Sequence, residues 1–409
     1  MLRFDAIDLK KICSRLICNY NWFRLTESMA MTTAKINTDL LIWARERSGI
    51  AVSEFARKCD ISEEKLYKWE TGQLPLTFKQ AMRYAEKAHV PFGYLFLSEP
   101  PVDDLPIPDL RTKESQGCNK PSGELLDLIK LMLQCQEWYK EYLKLQLAEP
   151  NSIVGRFSVK AGVMTIVQNM RAELGVDKHP NRGKWEDYYR DLVNKIEALG
   201  ILVMRQSNFG HHTRPLRVEE FRGFAIADDY APIIFVNHAE ALGARLFTLI
   251  HELCHIWIGQ SGISDGSTKT QREEEILCNA VAAEFLVPTD EFKSLWNSEL
   301  RSWQVNLPSL EAHFHVSTWT LGRRALTLNL ITQAQYHSFI ATQQAIYKDR
   351  KSSSGPTYYQ TKKAQISNRF SRAVVSEALS GQLLLREASQ LLGGIKPSKI
   401  AHFAKELGV

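Results

Sequence analysis

The sequence predicts an α+β fold: a small sheet among helices, with an all-α region before it and a helical region after it. Three observations carry this. Residues 38–94 read as short helices separated by turns. Apolar runs at 201–204, 221–227 and 232–237 are too short for helices and rich in residues that favour strands. Beyond them, two apolar helices carry histidines and acids, one around His251 and one over 271–287.

With 409 residues, 44% of them apolar, the chain can bury two or three cores. Its net charge of +5 selects no partner class, and no apolar run approaches the length that spans a bilayer. Seven cysteines without paired spacing fit free thiols in a reducing cytoplasm. Residues 1–29 lack the uninterrupted apolar core of a signal peptide. Residues 1–35 are therefore set apart as an extension.

Residues 36–99 form the first helical region. Leu40, Leu41, Trp43 and Ala44 begin its first helix, and helices at 53–58 and 62–70 follow, with Ser53 and Ser62 as expected N-caps. Phe55, Ala56, Ile61, Leu66 and Trp69 supply a small core. If the third helix met DNA, Lys65 and Lys68 would be its phosphate contacts, yet its early positions are Glu63 and Glu64. Nine basic residues against eight acidic ones over 38–93 leave the region nearly neutral, so DNA binding and protein docking both stay open.

Residues 100–122 are a proline-rich linker. Residues 123–148 follow as an amphipathic helix with the stripe Leu125, Leu128, Ile129, Met132, Cys135 and Tyr139, which suits packing or dimerisation. The main domain spans 150–300. Helices over 163–175 and 185–199 lead into a strand at 201–204 and two strands joined at Asp228-Asp229-Tyr230. His211, His212 and His238 share no helix with the candidate ligands and are left outside the site. Arg245 is expected to make a salt bridge supporting the fold.

His251-Glu252-Leu253-Cys254-His255 lies in an unbroken apolar stretch ending at Gly259. On a helix the two histidines stand one turn apart, so both imidazoles can reach one metal ion while Glu252 turns aside toward a bound water. After a polar loop over 259–270, the next helix offers Glu273, Glu274 and Glu275 as a third ligand. Two histidines and a carboxylate, with a fourth position open, are the zinc set of metallopeptidases.

The residues 247–255 (Phe-Thr-Leu-Ile-His-Glu-Leu-Cys-His), with Glu275, Asn279 and the run to Pro288, resemble the ImmA/IrrE family of metallo-endopeptidases. The resemblance implies that His251, His255 and Glu275 bind Zn2+ and that Glu252 is catalytic. Asn279, one turn beyond Glu275, would then hydrogen-bond a ligand histidine. Cys254, Cys278 and Val281 depart from the family's usual Gly, Ala and aromatic without removing a chemical group. The order of helix, sheet, metal helix and ligand helix is that of a zincin, in which an edge strand pairs with the substrate backbone. The segment 223–227 is expected to be that strand, with a core strand as the competing reading. Residues 36–99 are similar to an XRE-type helix-turn-helix.

Helical residues 301–345 are expected to buttress the domain, and 356–409 to form a basic helical tail. From Lys348 onward eleven basic residues stand against four acidic ones, which makes this tail the stronger electrostatic candidate for DNA. The resulting expectation is a cytoplasmic zinc endopeptidase acting on a protein regulator, such as a repressor in phage, mobile-element or stress control. The competing reading is a DNA-binding transcription regulator whose peptidase fold is a sensor or scaffold. An intact Glu252 favours the first.

Overall fold

The computed structural model describes residues 33–108, 121–210, 213–264, 272–347 and 365–409. It divides into two compact units, Met1–Asp104 and Leu105–Val409. His211, His212, most of the 1–35 extension and the basic stretch 348–364 lie outside the described residues.

In the first unit α1 (Thr38–Arg47), α2 (Val52–Cys59), α3 (Glu63–Glu70) and α4 (Phe78–Ala88) are followed by a 3-10 turn at Phe92–Phe96. Leu40, Leu41, Phe55, Leu66, Trp69, Tyr84 and Leu95 close one core. Ser62 caps α3 by accepting from the Lys65 N–H at 3.2 Å. Ser53 does not cap α2. That helix begins a residue earlier, after extended Ala51, because the Ala51 carbonyl accepts from Phe55 N–H at 2.8 Å and thereby seats Phe55 in the core. The Tyr84 hydroxyl lies 2.7 Å from a Glu70 oxygen, and Arg45 Nε donates to the same carboxylate at 2.7 Å.

The second unit is built on a four-stranded sheet of β1 (Leu202–Gln206), β2 (Gly223–Ile226), β3 (Ile233–Asn237) and β4 (Gly262–Ser264), in spatial order β1-β3-β2-β4. β1 runs parallel to β3, while β2 runs antiparallel to both β3 and β4. The segment expected at an edge, β2, is therefore interior. β4 arises in the stretch read as polar loop and pairs with it, Phe224 opposite Ile263.

Both sheet faces are buried, as the unbroken apolar run over 233–236 requires. Val203, Ala225, Ile234 and Val236 face one core with α6 (Val163–Leu174), α7 (Trp185–Ala198), α8 (Leu242–Trp257) and α9 (Glu273–Leu286). Leu202, Met204, Phe224, Phe235 and Ile263 face the other, with α5 (Gly123–Leu145). Through Phe370, Leu391 and Phe403 this second core also takes the C-terminal helices α14 (Asn368–Leu379), α15 (Leu385–Leu391) and α16 (Ile400–Leu407). The amphipathic helix and the tail, distant in sequence, are one apolar layer on one face. Gln136 of α5 ties them to the sheet by donating to the Ala231 carbonyl at 2.9 Å.

Beyond α9 come α10 (Thr289–Leu295), α11 (Leu307–Phe314), α12 (Thr318–Thr327) and α13 (Gln333–Tyr347). Buried Arg324 of α12 pairs with Glu284 of α9 and donates to the Val287 carbonyl, so the buttress holds the end of α9. Burial alone would raise the pKa of Glu291, but hydrogen bonds from Arg182, His313 and His179 outweigh it and hold the value at about 2. A carboxyl depressed on folding stabilises the fold above its unfolded pKa of about 4.3, and that contribution fades as the pH falls toward about 2. Glu291→Gln is expected to cost ~1–2 kcal/mol at pH 7, after screening at this partly exposed group, and little near pH 2. Urea unfolding at both pH values checks this.

Candidate metal centre

α8 is apolar through most of its length, and its residues from Leu246 to Trp257 are buried except Phe247. It ends where Gly259 takes φ +66°, and a Cβ there would come within 2.9 Å of the Gly155 backbone. Gly155 and Phe157 donate to the Ile256 and Trp257 carbonyls, satisfying the last turn. α9 lies along α8, and Glu275, Cys278, Ala282 and Phe285 form its buried stripe at helical spacing. Of the three neighbouring acids only Glu275 is buried; Glu273 is exposed and Glu274 partly so. Arg171 of α6 fixes α9 by donating to the Phe285 carbonyl at 2.6 Å.

This packing brings His251, His255 and Glu275 together. The two histidine Nε2 atoms are 3.2 Å apart, and they lie 3.3 Å (His251) and 3.0 Å (His255) from the two Glu275 oxygens. All three residues are buried, with one ligand atom from each within 4.8 Å of the others. Two ligand atoms about 2.1 Å from a tetrahedral ion would stand about 3.4 Å apart. The donor set thus fits a zinc-sized ion without rearrangement. Glu252 is fully buried, and among the described residues no donor meets either carboxylate oxygen in good hydrogen-bonding geometry.

The electrostatics follow from burial and closeness. Burial pushes the Glu252 carboxyl up to about 8. It pushes His251 down, but the adjacent Glu275 carboxylate wins and raises the imidazole to about 9. Glu275, opposed by its own burial, is held well below the ordinary carboxylate range by the two histidines. His255 is lowered, by burial first.

Three neighbours were not legible in the sequence. Ser264 of β4 donates to Glu275 at 3.2 Å, although its stretch reads as loop. Thr248, one turn before Glu252, donates at 2.9 Å to the buried carboxylate of Glu240. Gly223 makes room for the site, since a Cβ there would lie 2.8 Å from a Glu252 oxygen and 2.7 Å from Thr248 Cγ2. A glycine inside a strand pattern was the available signal. Gly223→Ala is expected to cost ~1–3 kcal/mol by overpacking while the ligand triad stays intact. A lowered melting temperature with unchanged metal content checks it.

Other expected residues lie differently. Asn279 is half-buried on α9, and Nδ1 of both His251 and His255 is without a partner, so the expected contact from Asn279 is not made. Among the described residues Arg245 makes no salt bridge; it donates to the carbonyls of Glu240 and His238, at 2.7 and 2.6 Å. His238 stands 3.3 Å from the Tyr189 hydroxyl and is outside the triad. In the first unit Lys65 sits over the Trp69 ring and Lys68 pairs with Glu64 at 2.7 Å.

A buried pair of helical histidines completed by a glutamate from the next helix is a group that could hold a metal ion. Residues 196–326 match the Peptidase_M78 family model, described as the IrrE N-terminal-like domain, which supports the resemblance to the ImmA/IrrE family. Residues 366–406 match a domain of unknown function, DUF8813. No curated protein and no solved structure matches the chain. No helix among the described residues is long and apolar enough to cross a membrane.

Proposed function

We propose that the chain is a zinc-dependent endopeptidase with a zincin-like catalytic domain. The observation that carries this is the convergence of His251, His255 and Glu275 beside the fully buried carboxyl of Glu252. Zinc bound by the three would supply a Lewis acid for a peptide carbonyl and lower the pKa of a water to about 7. Glu252 takes the proton from the attacking water at its carboxylate and delivers it to the leaving amine. Ser264 orients Glu275 through its hydrogen bond.

The substrate we propose is a protein regulator such as a transcriptional repressor of phage, mobile-element or stress genes. The first unit, read as an XRE-type helix-turn-helix, would bring the peptidase to that target. Lys65 and Lys68 are its candidate DNA contacts, and the basic residues of the C-terminal region are the alternative ones. Cys59, Cys135, Cys254 and Cys278 are free and buried, which suits a reducing cytoplasm. Metal analysis should find one zinc per chain, and mapping of new protein termini in cells should find products with wild type only, compared with Glu252→Gln. A metal-free purified chain, or the same termini from both proteins, would refute the proposal.

A further inference from the structure

Arg222 stands immediately before Gly223, the residue that leaves room for Glu252. Its backbone is fixed on both sides: the N–H donates to the Ser264 carbonyl at 3.1 Å, and its carbonyl accepts from the Asn237 N–H at 2.8 Å. The guanidinium Nη1 lies 3.3 Å from Oε1 of the buried Glu240. The other Glu240 oxygen accepts from the Thr248 hydroxyl at 2.9 Å. Thr248 stands one turn before Glu252 on α8, and Gly223 packs against both. A row of contacts therefore leads from Glu252 outward through Thr248 and Glu240 to Arg222. On the same helix the partly exposed Phe247 places its ring 6.3 Å from that of His251.

Two features set this arginine apart from one that only holds the fold. The Arg222 side chain is 38% exposed, whereas that of its partner Glu240 is 3% exposed. Among the described residues, moreover, no donor meets Glu240 Oε1 in good hydrogen-bonding geometry. The pair is an ion contact, and the guanidinium's fork of donors can serve a second acceptor from the open side. Burial raises the Glu240 carboxyl, against the charge of Arg222, the Thr248 hydrogen bond and the charge of Arg245. Two cations thus act on one acid, and this corner of the site keeps a positive field that favours an anion.

The geometry points to Arg222 as a specificity-determining residue, which takes the carboxylate of an acidic substrate side chain close to the scissile bond. This role rests on the peptidase reading. Glu240 aims the guanidinium, since it is itself tied through Thr248 to the helix that carries Glu252. An acidic side chain forms a charge-assisted pair there that a neutral one of the same shape cannot form.

The test is calorimetric titration of the zinc-loaded full chain with two succinyl-type peptide hydroxamates. They differ only in a carboxylate or a carboxamide at the end of the side chain next to the zinc-binding group. Wild type is expected to favour the carboxylate about tenfold, as one charge-assisted pair allows. In Arg222→Gln the two affinities should become nearly equal with zinc content unchanged, and Arg222→Lys should restore part of the preference. Equal affinities in wild type, or a preference kept by Arg222→Gln, would overturn the proposal. The second result would leave Arg222 as a neutraliser of Glu240 alone. If a melting curve shows that Arg222→Gln does not fold, the double variant Arg222→Gln with Glu240→Gln removes both charges and carries the same outcomes. A chain without zinc, or one that binds neither hydroxamate, would sink the peptidase reading and this role with it. Two bound compounds without a preference would sink only the role of Arg222.

Discussion

Glu252→Gln is expected to keep its zinc and lose ~10²–10⁴-fold in cleavage rate, the usual contribution of a general base. The residue lies in the same buried pocket as the ligands but is not one of them: His251, His255 and Glu275 close on each other without it. Glutamine has almost the same shape, so the packing against Gly223 and Thr248 survives. What disappears is the site that receives a proton. Burial already favours the neutral form of this carboxyl, so the substitution changes little in the folded chain and the melting temperature should hold. Zinc content, melting temperature and cleavage of a protein substrate separate the outcomes. Loss of zinc together with activity would make Glu252 a ligand, and full activity would end its role as base.

Glu275→Gln is expected to abolish tight zinc binding, whereas Glu273→Gln and Glu274→Gln should leave it intact. At roughly 100° per residue the three acids point to different sides of α9. Only Glu275 turns inward, its oxygens 3.3 and 3.0 Å from the two histidine Nε2 atoms. The variant also removes the negative charge that holds His251 protonated up to about 9 in the metal-free site. Two imidazoles would then face each other across 3.2 Å, and only one can donate to the other. His255→Ala is expected to lose zinc equally. Metal analysis after dialysis decides it: zinc retained by Glu275→Gln but lost from Glu274→Gln would shift the ligand register by one residue.

Local chemistry was legible along the chain. The spacing of His251 and His255, the apolar stretch around them and the acid-rich start of α9 suffice to place a metal centre on two helices, since helical periodicity alone decides which residues share a face. Choosing Glu275 among three acids took the family resemblance, and the packing of α9 on α8 agrees with it. Ser62 was readable as a cap because capping is a matter of four consecutive residues, and Ser53 misled because a core side chain, Phe55, set where α2 begins.

Pairings between distant segments were not readable, because a strand's neighbour depends on hydrogen bonds that no local pattern encodes. β4 is three residues in a glycine- and serine-rich stretch, and only its partner β2 makes it a strand. That pairing moves β2 from edge to interior and puts Ser264 on Glu275. The second apolar layer is the same kind of case: α5 and the C-terminal helices are each amphipathic, but only a sheet buried on both faces assigns them to one core. Thus the sequence by itself determined the two helices that carry His251, His255 and Glu275, a group that could hold a metal ion, because which residues share a face follows from periodicity within one element. The tertiary structure alone decided which strand borders the site and which residues leave room for Glu252, because these depend on contacts between elements distant in the chain.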